Sequence, residues 1–366
     1  MKKKVLCVLQ LPPPVHGVSI MNEYVINSKL LNETFEIKVI DLKFGKSIKD
    51  LQRFTFNKVY KSFLYGLKIA KNILLYKPDL IYFTISPTGF AFYRDAYYIF
   101  LIKLLRVKIL IHLHGKGIEG NAMNSKLKNI LYKRVFKQTN VICLSELLAN
   151  DIKKVYGDTP FIIPNGIKNQ LKSDFIAKQS YNRELQILYL SNFIKNKGIL
   201  VLLDALAILK TQGFSFKAKL VGAPSNITIQ ELEKIIREEK LTSFIDVVGP
   251  LMGDAKFEAY KETDIFVFPT YNDSFPLVTL EAMQFGLPIV STFEGSIPDI
   301  VINNETGFLV EKENPTMLAE KIAILLKDNN MRVAMGEKGC NRYIKNYTLE
   351  HFEYNMFKTF QKVLNK

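Results

Sequence analysis

Short apolar runs alternate with longer stretches of helical periodicity from one end of this chain to the other. That alternation restricts the chain to parallel α/β architectures. In the first half the predicted strands cover 5–11, 36–41, 80–83, 109–114, 140–144 and 161–163. Between them fall helices over 18–31, a long segment ending before Lys77-Pro78, 90–105 and 125–137. Residues 169–185 are polar and aperiodic and read as a linker. The pattern then restarts, with strands over 186–190, 217–221, 245–248 and 265–268 and helices over 198–210, 228–239 and 256–260. The end is helical over 315–326, 331–346 and 349–364. The expectation is two tandem Rossmann-like, doubly wound domains facing a cleft, 1–168 and 186–345. A last helical segment, 346–366, is placed to pack back on the first domain. At 366 residues and 48% hydrophobic content the chain can bury two such cores.

Composition narrows the class further. No run reaches the ~18–20 apolar residues of a membrane span; the greasiest, 97–105, is interrupted by Lys103 and flanked by Arg94 and Arg106. The start, Met1-Lys-Lys-Lys before Val5-Leu-Cys-Val-Leu, mimics a signal peptide, but its apolar core is short and runs into Pro12-Pro-Pro. A first buried strand is the better reading. Cys7, Cys143 and Cys340 are widely spaced with no CxxC pair, which points to a reduced cytoplasm and inert core thiols. Charge is uneven. Residues 1–180 hold 29 Lys/Arg against 12 Asp/Glu, a net of +17; the remainder holds 21 against 23, a net of −2, which recovers the total of +15. Lys43, Lys46, Lys49, Arg53, Lys58, Lys61, Lys68 and Lys71 interleave with Phe44, Phe54, Phe56, Tyr60, Phe63 and Tyr65. Interleaving of this kind suits an anionic membrane surface; diffuse lysine on a solvated face is the plainer alternative.

Open parallel sheets bind ligands at the carboxyl ends of their strands. That rule selects the loops after Leu11, Phe83, Leu113, Leu190, Val221, Val248 and Phe268. The last of these opens Pro269-Thr-Tyr-Asn-Asp-Ser-Phe-Pro-Leu-Val-Thr-Leu-Glu-Ala-Met-Gln-Phe-Gly-Leu-Pro-Ile-Val-Ser291. A helix opening near Phe275 would carry Glu281, eight positions after Asp273, and present free N–H groups at its start. Gly17 follows the first strand in Pro12-Pro-Pro-Val-His16-Gly17. In Ile109-Leu-Ile-His112-Leu-His114-Gly115 the period-two alternation sets both histidines on one face, His114 at the strand mouth. Ser191-Asn192-Phe-Ile-Lys195-Asn-Lys197-Gly198 follows strand 186–190, and Gly222 and Gly249-Pro250 end two others. A lysine at a helix N-terminus, as Lys197 is, opposes the dipole unless an anionic ligand sits there.

The 269–291 string resembles the acidic signature of retaining glycosyltransferases of family 4, which have the GT-B fold. That signature is close to E-G-F-G-L-x-x-x-E-A-M-A-x-G-x-P-V. Here Asp273 stands for the first glutamate and Pro276 for the second glycine. Ile163-Pro-Asn165-Gly166, Lys197-Gly198, Leu220-Val-Gly222, Gly295-Ser-Ile-Pro298-Asp299 and Thr306-Gly307 resemble further family strings, so the likeness extends over about 5–327. It implies transfer of a sugar from a nucleotide diphosphate sugar, UDP-linked before GDP-linked, to a hydroxyl acceptor with retained configuration. By resemblance His114, Asp273 and Glu281 are the catalytic set, Asp273 facing the donor sugar and Glu281 the ribose hydroxyls. Gly17, Asn192, Lys195, Lys197, Gly222, Pro250, Ser274, Phe275, Pro276, Leu277 and Val278 join Glu281 around the donor. The family's usual arginine is replaced by Asn192, a neutral amide that cannot neutralise phosphate, with Lys195 as a candidate substitute.

The chain has no D-x-D triplet, so neither metal nor other cofactor is expected, and the nucleotide sugar is a co-substrate. The implied partners are a nucleotide-sugar donor, a glycan or lipid-linked acceptor of surface polysaccharide synthesis, and an anionic membrane surface met by the basic first half; nucleic acid is not expected. The implied location is the cytoplasm, peripheral at the inner face of the membrane. Three alternatives stay open: a nucleotide-sugar epimerase on the same fold, a non-catalytic basic binding protein, and an inactive family member.

Overall fold

The computed structural model describes residues 1–45, 55–171 and 184–365. Two compact units emerge, Met1–Gly166 with Leu349–Lys366, and Ile167–Thr348. Of the expected linker, 172–183 lie outside the described residues, as do Lys46, Lys49, Arg53 and Phe54 of the basic and aromatic segment.

The first unit is built on β1 (Lys3–Leu9), β2 (Phe35–Asp41), β3 (Leu80–Ile85), β4 (Lys108–Leu113), β5 (Asn140–Cys143) and β6 (Phe161–Ile162). All neighbours are parallel, in the order β2-β1-β3-β4-β5-β6. Strands such as β3 and β4 are apolar on both faces because helices cover both sides of the sheet. Those helices are α1 (Gly17–Asn27), α2 (Lys29–Thr34), α3 (Phe56–Tyr76), α4 (Gly89–Leu104), α5 (Ile118–Met123), α6 (Lys126–Phe136) and α7 (Glu146–Ala149). The single helix expected over 18–31 is two. Ser28 is extended (φ −61°, ψ 120°) and its hydroxyl accepts the Leu31 N–H, the local bonding by which serine competes with a continuing helix. The first strand ends at Leu9 rather than Leu11, because the Leu11 N–H is taken by Asp41 Oδ1 (3.1 Å) ahead of the prolines.

The second unit holds β7 (Gln186–Leu190), β8 (Lys217–Val221), β9 (Ile245–Val248), β10 (Ile265–Phe268), β11 (Ile289–Thr292) and β12 (Gly307–Val310). Its parallel order is β12-β11-β10-β7-β8-β9. Its helices are α8 (Ile199–Thr211), α9 (Ile229–Glu238), α10 (Gly253–Lys261), α11 (Leu277–Gln284), α12 (Ile297–Ile300), α13 (Pro315–Lys327) and α14 (Asn329–Asn346). The chain then returns to the first unit as α15 (Leu349–Asn365). Phe352, Met356, Phe360 and Val363 are buried on it, and the Phe360 ring lies 5.7 Å from Phe35 and 5.5 Å from Tyr82.

Each order reverses once, between β1 and β3 in the first sheet and between β7 and β10 in the second. At such a switch point the loops on either side run to opposite faces and leave a crevice. In the second unit the loops on both sides of β7 pack tightly enough to require glycine. A Cβ on Gly222 would fall 1.9 Å from the Ser191 carbonyl oxygen, and one on Gly198 (φ +80°) 2.0 Å from that of Pro269.

Candidate active site

In the second unit the loops after β7 and β10 are laced together across the switch point. Lys197 lies on a single 3₁₀ turn, Lys195–Lys197, and α8 begins only at Ile199. The Asn196 carbonyl accepts the Tyr271 N–H (3.0 Å) and the Thr270 hydroxyl (3.1 Å). This brings the Lys197 ammonium 2.6 Å from Asp273 Oδ2 and 3.2 Å from the Asn272 carbonyl. Asp273 Oδ1 accepts the Ser274 N–H at 2.8 Å. Both partners of the pair are mostly buried, at 23% and 18% side-chain exposure, so solvent screens it only partly.

The helix expected to open near Phe275 starts at Leu277, with extended Pro276 (φ −71°, ψ 118°) as its cap residue. Proline before a helix disfavours helical geometry at the residue ahead of it, which leaves Ser274 and buried Phe275 in the loop. The N–H groups of Leu277 and Val278 sit in the first turn, where no i−4 carbonyl exists. One turn on, Glu281 Oε1 meets the Lys256 ammonium (2.6 Å) and Oε2 accepts the Tyr260 hydroxyl (3.0 Å). Tyr260 is buried and stacked on Phe285, and burial followed by the Glu281 charge pushes its pKa well up, so it stays a donor.

Neither Lys256 nor Tyr260 stands out in sequence; their one local signal is i,i+4 spacing on the face of α10. Glu294 is the larger omission. It is 1% exposed, accepts the Asp273 N–H at Oε1 (3.1 Å), and pairs through Oε2 with Lys312 (2.5 Å). Next to it, the Ser296 N–H (2.9 Å) and hydroxyl (2.6 Å) both donate to the Ser274 carbonyl. Gly295 (φ +54°) permits this, since a Cβ there would fall 2.4 Å from the Asp273 carbonyl oxygen. Residues 294–296 thus clamp the 273–274 segment at its N–H and its carbonyl. Asp273, Glu281 and Glu294 each pair with a lysine, Lys197, Lys256 and Lys312 respectively. Asn192, Lys195 and Pro250 lie exposed at the ends of β7 and β9.

In the first unit the loops after β1, β3 and β4 line a cavity of about 170 Å³ with His16, Asn22, Thr84, Arg94 and His114. Gly17 is exposed and opens α1 behind His16, whose Nδ1 accepts the Ser19 N–H (3.3 Å). When neutral, His16 therefore carries its proton on Nε2. The ring centroids of His112 and His114 lie 3.9 Å apart at a 36° tilt, and His112 Nδ1 is taken by the Tyr82 hydroxyl at 2.6 Å. Among the described residues, Nε2 of His16, His112 and His114 is buried without a hydrogen-bond partner. Arg94 is committed to the fully buried Asp95 (2.7 Å).

Burial holds all three histidines neutral: His16 and His112 lie below their usual 6.5, and His114, also repelled by His16, falls to about 3. Unfolded, each takes a proton near pH 6.5; folded, only at lower pH. The unfolded chain therefore binds more protons in that window, and stability falls as pH drops below about 6.5, by up to about 1.4 kcal/mol per pH unit for each fully shifted ring. Urea midpoints should decline from pH 7 to 5, and the decline should be shallower in His114→Asn. A flat wild-type profile would contradict the burial of these rings.

Two parallel six-stranded doubly wound sheets with flanking helices are the architecture of the GT-B fold. The model described as Glycosyl transferases group 1 matches residues 172–342, and that described as Glycosyltransferase Family 4 matches 33–171. The chain belongs to glycosyltransferase family 4. It is 25% identical over 300 residues to an uncharacterized glycosyltransferase of Methanocaldococcus jannaschii, covering 81% of this chain and 79% of that one. It is 28% identical over 246 residues to the capsular polysaccharide biosynthesis glycosyltransferase CapM of Staphylococcus aureus, covering 62% and 63%. Among solved structures, a glycosyltransferase from Rickettsia africae superposes with a TM-score of 0.79 at 20% identity over 100% of this chain and 99% of that one. Anabaena HepE, in complex with UDP, gives 0.74 at 16% identity over 98% and 100%. The protein is an enzyme that transfers sugar from a nucleotide sugar.

Proposed function

We propose that the donor is a UDP-sugar, that the sugar passes with retained configuration to a hydroxyl of a lipid-linked glycan, and that the product enters a surface polysaccharide. The observation that carries this reading is the Lys197–Asp273 pair at the switch point. Breaking the anomeric bond builds negative charge on the diphosphate and positive charge on the sugar. A diphosphate arriving at Lys197 competes with Asp273 for the ammonium. As Lys197 turns to the phosphate, Oδ2 is released toward the developing positive charge, and the first-turn N–H groups of α11 add dipolar stabilisation. Glu281, held open by Lys256 and Tyr260, retains lone pairs for ribose hydroxyls.

Lysines carry the leaving-group charge in this scheme, and no metal enters it. The UDP preference is supported by HepE, solved with UDP and with UDP-glucose, and the polysaccharide role by CapM. A lipid-linked acceptor would be met at a membrane surface, a reading supported by the excess of lysine and arginine in residues 1–180.

The test is thermal stabilisation across UDP-, GDP-, ADP- and CDP-linked sugars. A ligand at 100 times its Kd adds about 2.7 kcal/mol of stability. Response to UDP-sugars alone is expected; response to another nucleotide moves the donor class, and no response overturns the reading.

A further inference from the structure

We propose that the outward faces of α3 and α4 form one docking surface that inserts aromatic side chains among the headgroups of an anionic bilayer. The purpose of this surface rests on the reading of a lipid-linked acceptor; its existence does not. On α4, Phe92, Ala96, Ile99 and Ile102 face the core. The other side should be polar. Instead Phe90, Tyr93, Tyr97, Phe100 and Leu104 follow one another at spacings of three and four, a second apolar stripe that is 38–77% exposed.

Helix α3 repeats the arrangement. Gly66, Ile69 and Ile73 are buried, while Phe56, Tyr60, Phe63, Leu67 and Leu74 form an outer stripe that is 52–87% exposed. The two helices are side by side. A Cβ on Gly66 would fall 2.4 Å from the Tyr97 hydroxyl, and the Tyr98 hydroxyl donates to the Ser62 carbonyl at 3.0 Å. Monomeric proteins seldom leave aromatic patches of this extent in water without a partner for them.

Charge identifies the partner. Helix α3 contains no acidic residue, and Lys61, Lys68 and Lys71 on it are exposed. The only acid on α4 is Asp95, buried and spent on Arg94. Helix α6, joined to α4 by the Phe92–Tyr132 stack (4.1 Å), has no acid and exposes Lys126, Lys133 and Arg134. A second copy meeting this face about a two-fold axis would set lysine against lysine with no carboxylate between. Anionic lipid supplies the missing charge, and tyrosine and phenylalanine suit the headgroup level.

The experiment is sedimentation of the full chain, without nucleotide, with phosphatidylcholine vesicles that do or do not contain about 30 mol % phosphatidylglycerol. We expect at least about tenfold stronger partitioning to the anionic vesicles. The Phe63→Glu/Phe100→Glu variant should lose about tenfold or more, and Lys61→Gln/Lys68→Gln/Lys71→Gln should lose as much along with its salt sensitivity. These side chains are exposed, so unchanged melting temperatures verify folding. Equal or absent binding to the two vesicle types overturns the proposal. So does a lipid-independent dimer broken by Phe63→Glu/Phe100→Glu, which would make a second copy the occupant. Vesicle binding without any UDP-sugar response would sink the donor reading and leave this surface standing; the reverse result would sink only the surface.

Discussion

Asp273→Asn is expected to lower turnover by about 10²–10³-fold while nucleotide affinity holds or rises, the loss typical of one missing electrostatic group in a transition state. The asparagine carbonyl can still accept the Ser274 N–H, so the loop keeps its shape. What disappears is the negative charge that would face the sugar as it becomes cationic. The same change frees Lys197, whose ammonium sits 2.6 Å from the carboxylate. An incoming diphosphate then meets an uncommitted cation, which is why UDP should bind no more weakly than before. Lys197→Ala should behave oppositely and lose affinity and turnover together. Single-turnover rates and UDP titration of both variants separate the two effects. Normal turnover in Asp273→Asn would remove Asp273 from the chemistry altogether.

Much of the second unit is legible in the sequence. Strands 186–190, 217–221, 245–248 and 265–268 match the structure residue for residue, because each closes on a pair or more of apolar residues that stops at serine, glycine or proline. Helix limits are less legible, since they depend on side chains bonding to backbone. The Ser28 hydroxyl splits one expected helix, and Pro276 delays another by two residues. The strand-end rule points to Lys197 and Asp273 although they stand 76 positions apart, because it selects loops rather than neighbours.

That rule says nothing about what a side chain meets across the fold. Glu294 follows a strand and precedes a glycine, so in sequence it reads as a solvated turn; only the structure buries it against Lys312 and the Asp273 N–H. Likewise 97–105 reads as a membrane span that falls short. With residues 90–104 set on a helix, the same side chains separate into an inner and an outer face.

Removing Lys312 tests how firmly that buried carboxylate holds the site. Lys312→Ala should cost about 3 kcal/mol, the low end for breaking a buried ion pair, because the Lys312 side chain is itself 43% exposed. The buried charge on Glu294 then loses the Lys312 ammonium, and the carboxyl would take up a proton more readily folded than unfolded. A raised folded pKa means that the defect is largest at neutral pH and shrinks as the solution is acidified through that pKa. Wild-type protein, with its neutral histidines, should move the other way over the same range. Lys312→Met combined with Glu294→Gln puts no charge in the pocket, keeps an acceptor for the Asp273 N–H, and should recover most of the stability. Urea midpoints at pH 7 and pH 5 for the single and double variants decide the matter. If Lys312→Ala were as stable as wild type at pH 7, Glu294 would not depend on Lys312. The clamp on Asp273 would then have to rest on Ser296 and Gly295.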